Sequence, residues 1–233
     1  MIQTQGLSPE ELLRLTSLRE VVGGFTHEMA QPLNAIMIAA QVLRLRTERS
    51  VLSEEDKSFL VRRLEMVSSQ VLRATQILDE LRSLSRGWSG EQSTTDVQGL
   101  FQRVHTLMGQ QLVGRGIELN MVAPGDLPPI RGNRQVLELV LVQGLAFARD
   151  VVETVGNWHQ QGGRPFKKAV EVRFVPADVS AAVVIGWSIG ELTDPSVLAD
   201  ADRHVGLSAA SLVLSAAGGE LKRASDGLTI ILP

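Results

Sequence analysis

Phe25-Thr26-His27-Glu28-Met29-Ala30-Gln31-Pro32-Leu33-Asn34-Ala35-Ile36 is the stretch whose reading decides the rest of this chain. It lies among apolar positions Leu15, Leu18, Val22, Phe25, Met29, Leu33, Ile36, Ala40 and Leu43. Their steps of three and four residues make one stripe along a helix, suited to face a partner helix. His27 is two residues from both Phe25 and Met29, about 200° around at roughly 100° per residue, so the spacing predicts an imidazole projecting into solvent. Glu28 follows directly, where a carboxylate can hydrogen-bond an imidazole nitrogen and raise its nucleophilicity. Pro32 stands inside the helix, at a cost of about 3 kcal/mol, and leaves the Glu28 carbonyl without its helical partner. A kink is expected just beyond the histidine. A lone helical histidine is usually a surface residue with no role. Here an exposed imidazole, an adjacent acid and an unfavourable proline coincide, and together they argue for chemistry.

The 233 residues suit one large or two small domains. A net charge of −3 with mixed signs leaves no electrostatic footprint for nucleic acid. The absence of cysteine excludes disulfides and thiolate metal sites and fits a reducing compartment. Met1-Ile2-Gln3-Thr4-Gln5-Gly6 does not read as a signal peptide, and no apolar run reaches the roughly 18 residues of a spanning helix. A cytoplasmic protein with no membrane anchor is expected.

Outward from the central stretch, Ser8-Pro9-Glu10-Glu11 is a helix start with a capping box, and the first helix should run to about Glu48. Ser53-Glu54-Glu55-Asp56 opens a second, with Leu60, Leu64, Val67, Val71, Leu78 and Leu81 at steps of mostly three and four. The pair makes a long antiparallel hairpin about 45 Å or more in length, whose apolar stripes one hairpin cannot cover. A second copy completing a four-helix bundle is the favoured solution; an intramolecular coiled coil docked on the remaining domain is the alternative. Residues 8–86 are thus expected to be a dimerising helical domain.

Arg86 to Ser93 breaks the period as a linker, and residues 94–233 change to a mixed α/β pattern. Helices are expected over Val97–Val113, Arg134–Val152 and Gly206–Ala216, and strands at Ile117–Val122, Val170–Val175, Ala182–Trp187, Glu220–Arg223 and Leu228–Leu232. Pro124 to Pro129 and Pro176-Ala177-Asp178 read as turns, and Trp158 to Gly163 as a loop holding His159. His105 and His159 have no metal-site spacing to acids. Trp88, Trp158 and Trp187 read as packing or hinge residues, and Arg62-Arg63 and Lys167-Lys168 as solvated faces.

Val22 to Ile36, with its His27-Glu28-x-x-x-Pro32 core, resembles the phospho-acceptor box of two-component sensor histidine kinases. The order of elements after the linker is similar to the ATP-binding domain of that family, a sheet covered on one face by helices. Leu127-Pro128-Pro129-Ile130-Arg131-Gly132-Asn133-Arg134 resembles the entry into its main helix. The resemblance implies His27 as phospho-acceptor, Glu28 as the group that polarises it, and Gln31 as a cleft residue of the kind that orients water for dephosphorylating a receiver.

The nucleotide-binding residues depart from the pattern. The resemblance places the family's Mg²⁺-binding Asn at Phe147, which has no oxygen for a hard cation, and an earlier Asn at Gln143. The adenine-reading Asp falls at Gly186, in Gly186-Trp187-Ser188-Ile189-Gly190, where there is no acid. From Gly190 to Gly206 there is little room for a lid, and His204 stands where a glycine would admit phosphates to backbone N–H groups. Three separate losses argue against ATP binding and ATP-dependent autophosphorylation, and neither cofactor nor bound metal is expected.

The favoured expectation is a homodimeric, cytoplasmic histidine phosphotransferase of a phosphorelay. His27 would pass phosphate between receiver aspartates of response regulators, one of them on an upstream hybrid kinase, with Mg²⁺ supplied only by the receiver. The alternatives are an active kinase with a divergent ATP site, a receiver phosphatase using Gln31, and a non-catalytic dimeric interaction module.

Overall fold

Both long helices begin where side chains can satisfy their first amides. The Ser8 amide donates to Glu11 Oε2 at 2.9 Å while the Glu11 amide donates to Ser8 Oγ at 3.2 Å, the reciprocal box read from the sequence. Ser53 and Asp56 repeat it at 3.2 and 3.1 Å. From these starts run α1, Pro9–Thr47, and α2, Glu54–Ser85. The computed structural model describes residues 7–47, 53–85, 93–122, 127–177, 180–192, 195–198 and 204–233. Of the linker expected at 86–93, residues 86–92 lie outside the described residues while Ser93 is already strand; residues 124–126 of the turn expected at 124–129, and Asp178, also lie outside the described residues.

The chain divides into two compact units, Val22–Arg86 and a second that joins Met1–Val21 to Gly87–Pro233. The first turns of α1 therefore group with the α/β residues. Within Val22–Arg86, Val22, Leu33, Leu64 and Val71 of the two apolar stripes are exposed in a single chain. The side chains of Phe25, Leu78 and Leu81 lie outside the described residues.

In the α/β unit, α3 (Val97–Gly114) is capped by Asp96, which accepts from the amides of Gln98 and Gly99. The main helix α4 (Arg134–Gln161) is capped likewise by Asn133. A short antiparallel pair, β1 (Ser93–Thr95) with β3 (Ile130–Gly132), was not expected; three-residue strands carry too little alternation to be read. The main sheet holds β2 (Glu118–Val122), β4 (Ala169–Ala177), β5 (Ser180–Trp187), β6 (Glu220–Arg223) and β7 (Gly227–Ile231) in the order β2-β4-β5-β7-β6. Only β2 and β4 run parallel. In β4, Val170, Val172 and Phe174 are buried while Glu171 and Arg173 are exposed, the alternation of a sheet covered on one face. α3, α4 and the later helix α5 (Val205–Ala216) supply the cover. At Gly144 α4 presses against the sheet: a Cβ there would come within 2.9 Å of Ile230 Cδ1.

Two expectations are corrected. The main helix runs on to Gln161 instead of ending near Val152, so Trp158 and His159 are helical rather than in a loop. Val155, Gly156 and His159 continue its buried stripe, and no breaker occurs before Gly162-Gly163. Pro176 and Ala177 are strand rather than turn. Pairing with β2 ends at Arg173, so Pro176 lies past it, where a residue without an amide hydrogen is tolerated.

Candidate functional site

The phospho-acceptor residues of the sequence reading lie on α1, which continues as helix through Pro32. Pro32 itself is buried and Gln31 exposed. The side chains of His27 and Glu28 lie outside the described residues, so their orientation remains the expectation of helical spacing.

The second candidate region is well defined. Phe147 and His204, which the sequence reading singled out, meet at one aromatic ring together with Trp187, the residue after Gly186. Phe147 has no exposed surface. Its ring meets Trp187 edge to face with centroids 5.5 Å apart and His204 at 5.7 Å. The Arg223 guanidinium sits 4.8 Å from its centroid, a cation–π contact from β6. Trp187 follows Gly186 directly on β5, and its Nε1 donates to the Ser225 carbonyl at 3.2 Å, so the indole is held at both ends. Trp187 is thus a packing residue. The ring offers no lone pair to a hard cation, so these residues do not fit a bound Mg²⁺.

His204 closes the neighbouring helix start. It is the cap of α5, where its Nδ1 accepts from the Leu207 amide at 3.0 Å. A helix N-terminus whose amide is already taken by its own cap has less to offer a phosphate. Burial, partly opposed by Asp150 and Glu20, pushes the His204 pKa below its ordinary value of 6.5. That keeps the imidazole neutral and its Nδ1 able to accept.

Gln143 is fully buried and donates from Nε2 to Ser17 Oγ at 2.9 Å. A Cβ at Gly206 would lie 1.8 Å from Gln143 Oε1 and 3.1 Å from Thr16 Oγ1, so only glycine fits where α4, α5 and the first turns of α1 meet. Two residues past Phe147, Arg149 is buried and pairs with both Asp150 and Glu20 at 2.7 Å. Burial works against its charge, and the two carboxylates outweigh that and raise its pKa. Arg149, Glu20, Ser17 and Arg223 escaped the sequence reading, because nothing in a helical period marks one surface charge as the one to be buried. No group of three or more His, Asp and Glu placed to hold a metal ion occurs among the described residues. No helix among them is long and apolar enough to cross a membrane.

Comparison with known proteins agrees with the central stretch. Residues 17–90, which contain His27, Glu28, Gln31 and Pro32, match the His Kinase A (phospho-acceptor) domain. The two-component sensor PprA of Pseudomonas aeruginosa is 32% identical over 144 residues, covering 62% of this chain and 15% of that protein. The signal transduction histidine-protein kinase AtoS of Escherichia coli is 24% identical over 144 residues, covering 62% of this chain and 22% of that protein. The chain thus spans less than a quarter of the length of these curated relatives. Among solved structures, the Acinetobacter baumannii histidine kinase AdeS superposes with a TM-score of 0.45 at 13% identity, covering 88% of this chain and 96% of that one. Residues 17–90 thus match a histidine-kinase phospho-acceptor domain, and the chain is similar over 144 residues to two-component sensor kinases.

Proposed function

We propose that this chain is a histidine phosphotransferase of a phosphorelay, a member of the kinase family that keeps the phospho-acceptor helix and has lost its ATPase. The observation that carries this reading is the environment of Phe147, a buried ring enclosed by Trp187, His204 and Arg223 where the family resemblance expects a metal-binding amide. Self-capping of α5 by His204 and the acid-free Gly186–Gly190 segment support it independently.

In this reading an imidazole nitrogen of His27 attacks the phosphorus of a receiver aspartyl phosphate. The P–N bond forms as the P–O bond breaks, the aspartate leaves as a carboxylate, and the ring's other N–H is hydrogen-bonded to Glu28. The same steps in reverse deliver the phosphate to a second receiver. The receiver contributes Mg²⁺ and most of the charge stabilisation, so His27 has mainly to be positioned. Gln31 is assigned to orienting water when a receiver is dephosphorylated. The protein acts in the cytoplasm as a homodimer through its helical region, since the exposed apolar positions of α1 and α2 need a second copy to cover them.

The test is to incubate the protein with Mg-ATP alone and, separately, with phosphorylated receivers, then assay acid-labile phosphate on His27. Label arriving only from receivers is expected. Label from ATP alone identifies an active kinase instead, and no label in either arm leaves a non-catalytic interaction module.

A further inference from the structure

The last turn of α4, the segment leading into β4 and the exit of β5 enclose a cavity of about 500 Å³, lined by His159, Arg164, Phe166, Gly190 and Glu191 among others. Along α4, His159 lies twelve residues beyond Phe147, about 18 Å further at roughly 1.5 Å per residue. The volume falls within the roughly 300–1,000 Å³ of small-molecule sites, and an aromatic wall with a few convergent polar groups is their usual lining.

That wall is held in place from several sides. The His159 ring is 3% exposed, stacks on Phe166 with centroids 4.6 Å apart, and meets Trp158 edge to face at 4.9 Å. Gly190, at φ +55°, presses on both stacked rings. A Cβ there would come within 2.9 Å of His159 Nε2 and 3.2 Å of Phe166 Cδ2, so only glycine fits. Ser188 Oγ ties the rim together, donating to the Lys167 carbonyl at 2.9 Å and accepting from the Ala169 amide at 3.1 Å. Arg164 is anchored by its backbone amide, which donates to the His159 carbonyl at 2.9 Å, and its guanidinium lies 5.3 Å from the Trp158 centroid.

The polar groups left over define what can bind. His159 Nε2 faces the Ile189 carbonyl at 3.2 Å, and a carbonyl only accepts, so Nε2 carries the hydrogen. In that tautomer Nδ1 is a lone pair, buried and without a partner among the described residues. An orphaned acceptor at the wall of a cavity calls for a donor. Of the two cations lining the cavity, Lys167 is paired with Glu118 at 2.7 Å, whereas Arg164 has no acid partner among the described residues. Glu191, exposed on the same wall, has no basic partner among them. A guanidinium and a carboxylate that share a cavity without pairing with each other suit a ligand that carries both charges.

We propose that this cavity is a binding site for a free apolar α-amino acid. The carboxylate is taken by Arg164, the ammonium lies on the side of Glu191 and His159, and the side chain packs against Phe166 and Pro165. A simple anion would leave Glu191 unanswered, and a simple amine would leave Arg164 so. The site uses neither His27 nor the residues around Phe147.

The test is titration of the full chain with L-phenylalanine and L-leucine, followed by calorimetry and by the Trp158 indole resonance in tryptophan-labelled protein. Saturable binding is expected. 3-Phenylpropionate, which lacks the ammonium, and phenethylamine, which lacks the carboxylate, should each bind at least about tenfold more weakly than L-phenylalanine. Arg164→Gln and Glu191→Gln change exposed positions where substitution leaves the fold intact, and each should lose about tenfold or more in affinity. Three results overturn the proposal: neither amino acid binding up to about 10 mM, either single-charge analogue matching L-phenylalanine, or undiminished binding by either variant. Mg-ATP should leave the titration unchanged; competition by it would place the ligand in a nucleotide site and overturn the assignment too. Phosphate transfer through His27 enters none of these readouts, so this site and the phosphorelay reading stand or fall separately.

Discussion

Nδ1 of His204 accepts the amide hydrogen of Leu207 at 3.0 Å, so a titratable ring serves as the cap of α5. Capping requires a lone pair on Nδ1, which only the neutral imidazole has. Burial lowers the folded-state pKa below 6.5, and the unfolded chain therefore takes up the proton first as pH falls. The His204 contribution is full above about pH 6.5 and is lost as pH drops toward the depressed folded value. Urea midpoints between about pH 7.5 and 5.5 should fall for the wild type more than for His204→Asn, whose amide oxygen caps without titrating. Parallel curves for the two proteins would remove His204 from the account.

Phe147→Asn should fail to restore nucleotide binding and should destabilise the α/β unit. The substitution opens a cavity beside Trp187 and buries an amide there, a loss of about 3 kcal/mol or more. Calorimetry with Mg-ATP is expected to show no affinity tighter than about millimolar, where recognition is worth only about 4 kcal/mol. Micromolar binding by the wild type would sink the proposed loss of the ATPase.

Leu64 is 55% exposed in a single chain although it stands on the apolar stripe of α2. Leu64→Asp should dissociate the proposed homodimer, since the stripe would carry a charge into a dry seam. Light scattering at micromolar concentration should move from dimer to monomer mass. A wild type that is already monomeric there refutes the four-helix bundle.

His27→Ala should abolish phosphate transfer to a receiver and leave the melting temperature nearly unchanged. Helical spacing puts residue 27 away from the apolar stripe, and exposed substitutions usually stay within about 0.5 kcal/mol. Glu28→Ala should slow transfer without abolishing it, because the acid assists a nucleophile already competent near neutral pH. Gln31→Ala should affect receiver dephosphorylation more than transfer. Transfer by the His27→Ala protein, followed as acid-labile phosphate moving between two receivers, would end the assignment.

Local sequence carried most of the architecture. The caps at Ser8, Ser53 and Asn133, the long helical period of α1 and α2 and the strand alternation of β4 each follow from interactions spanning a few residues. So does the candidate acceptor, because a His-Glu-x-x-x-Pro spacing is a property of one helix. The departures at Phe147, Gly186 and His204 were also legible, as residue types lacking the atoms that a metal, a base or a phosphate needs.

What those residues do instead was decided by the tertiary structure. That Phe147 meets Trp187 and Arg223 depends on β5 and β6 arriving beside α4, a pairing across more than one strand that no local period encodes. The extension of α4 to Gln161 came from continued burial against the sheet, which outweighs the weak helix preference of Gly156 and His159. The division of α1 is the clearest case. Leu13, Ser17, Glu20 and Val21 read as an ordinary mix of apolar and polar residues until Gln143 is brought to Ser17, and Gln111 and Arg149 to Glu20, from far along the chain. Charge pairing at such separations depends on which side chains folding desolvates together, and only the packed structure determines that.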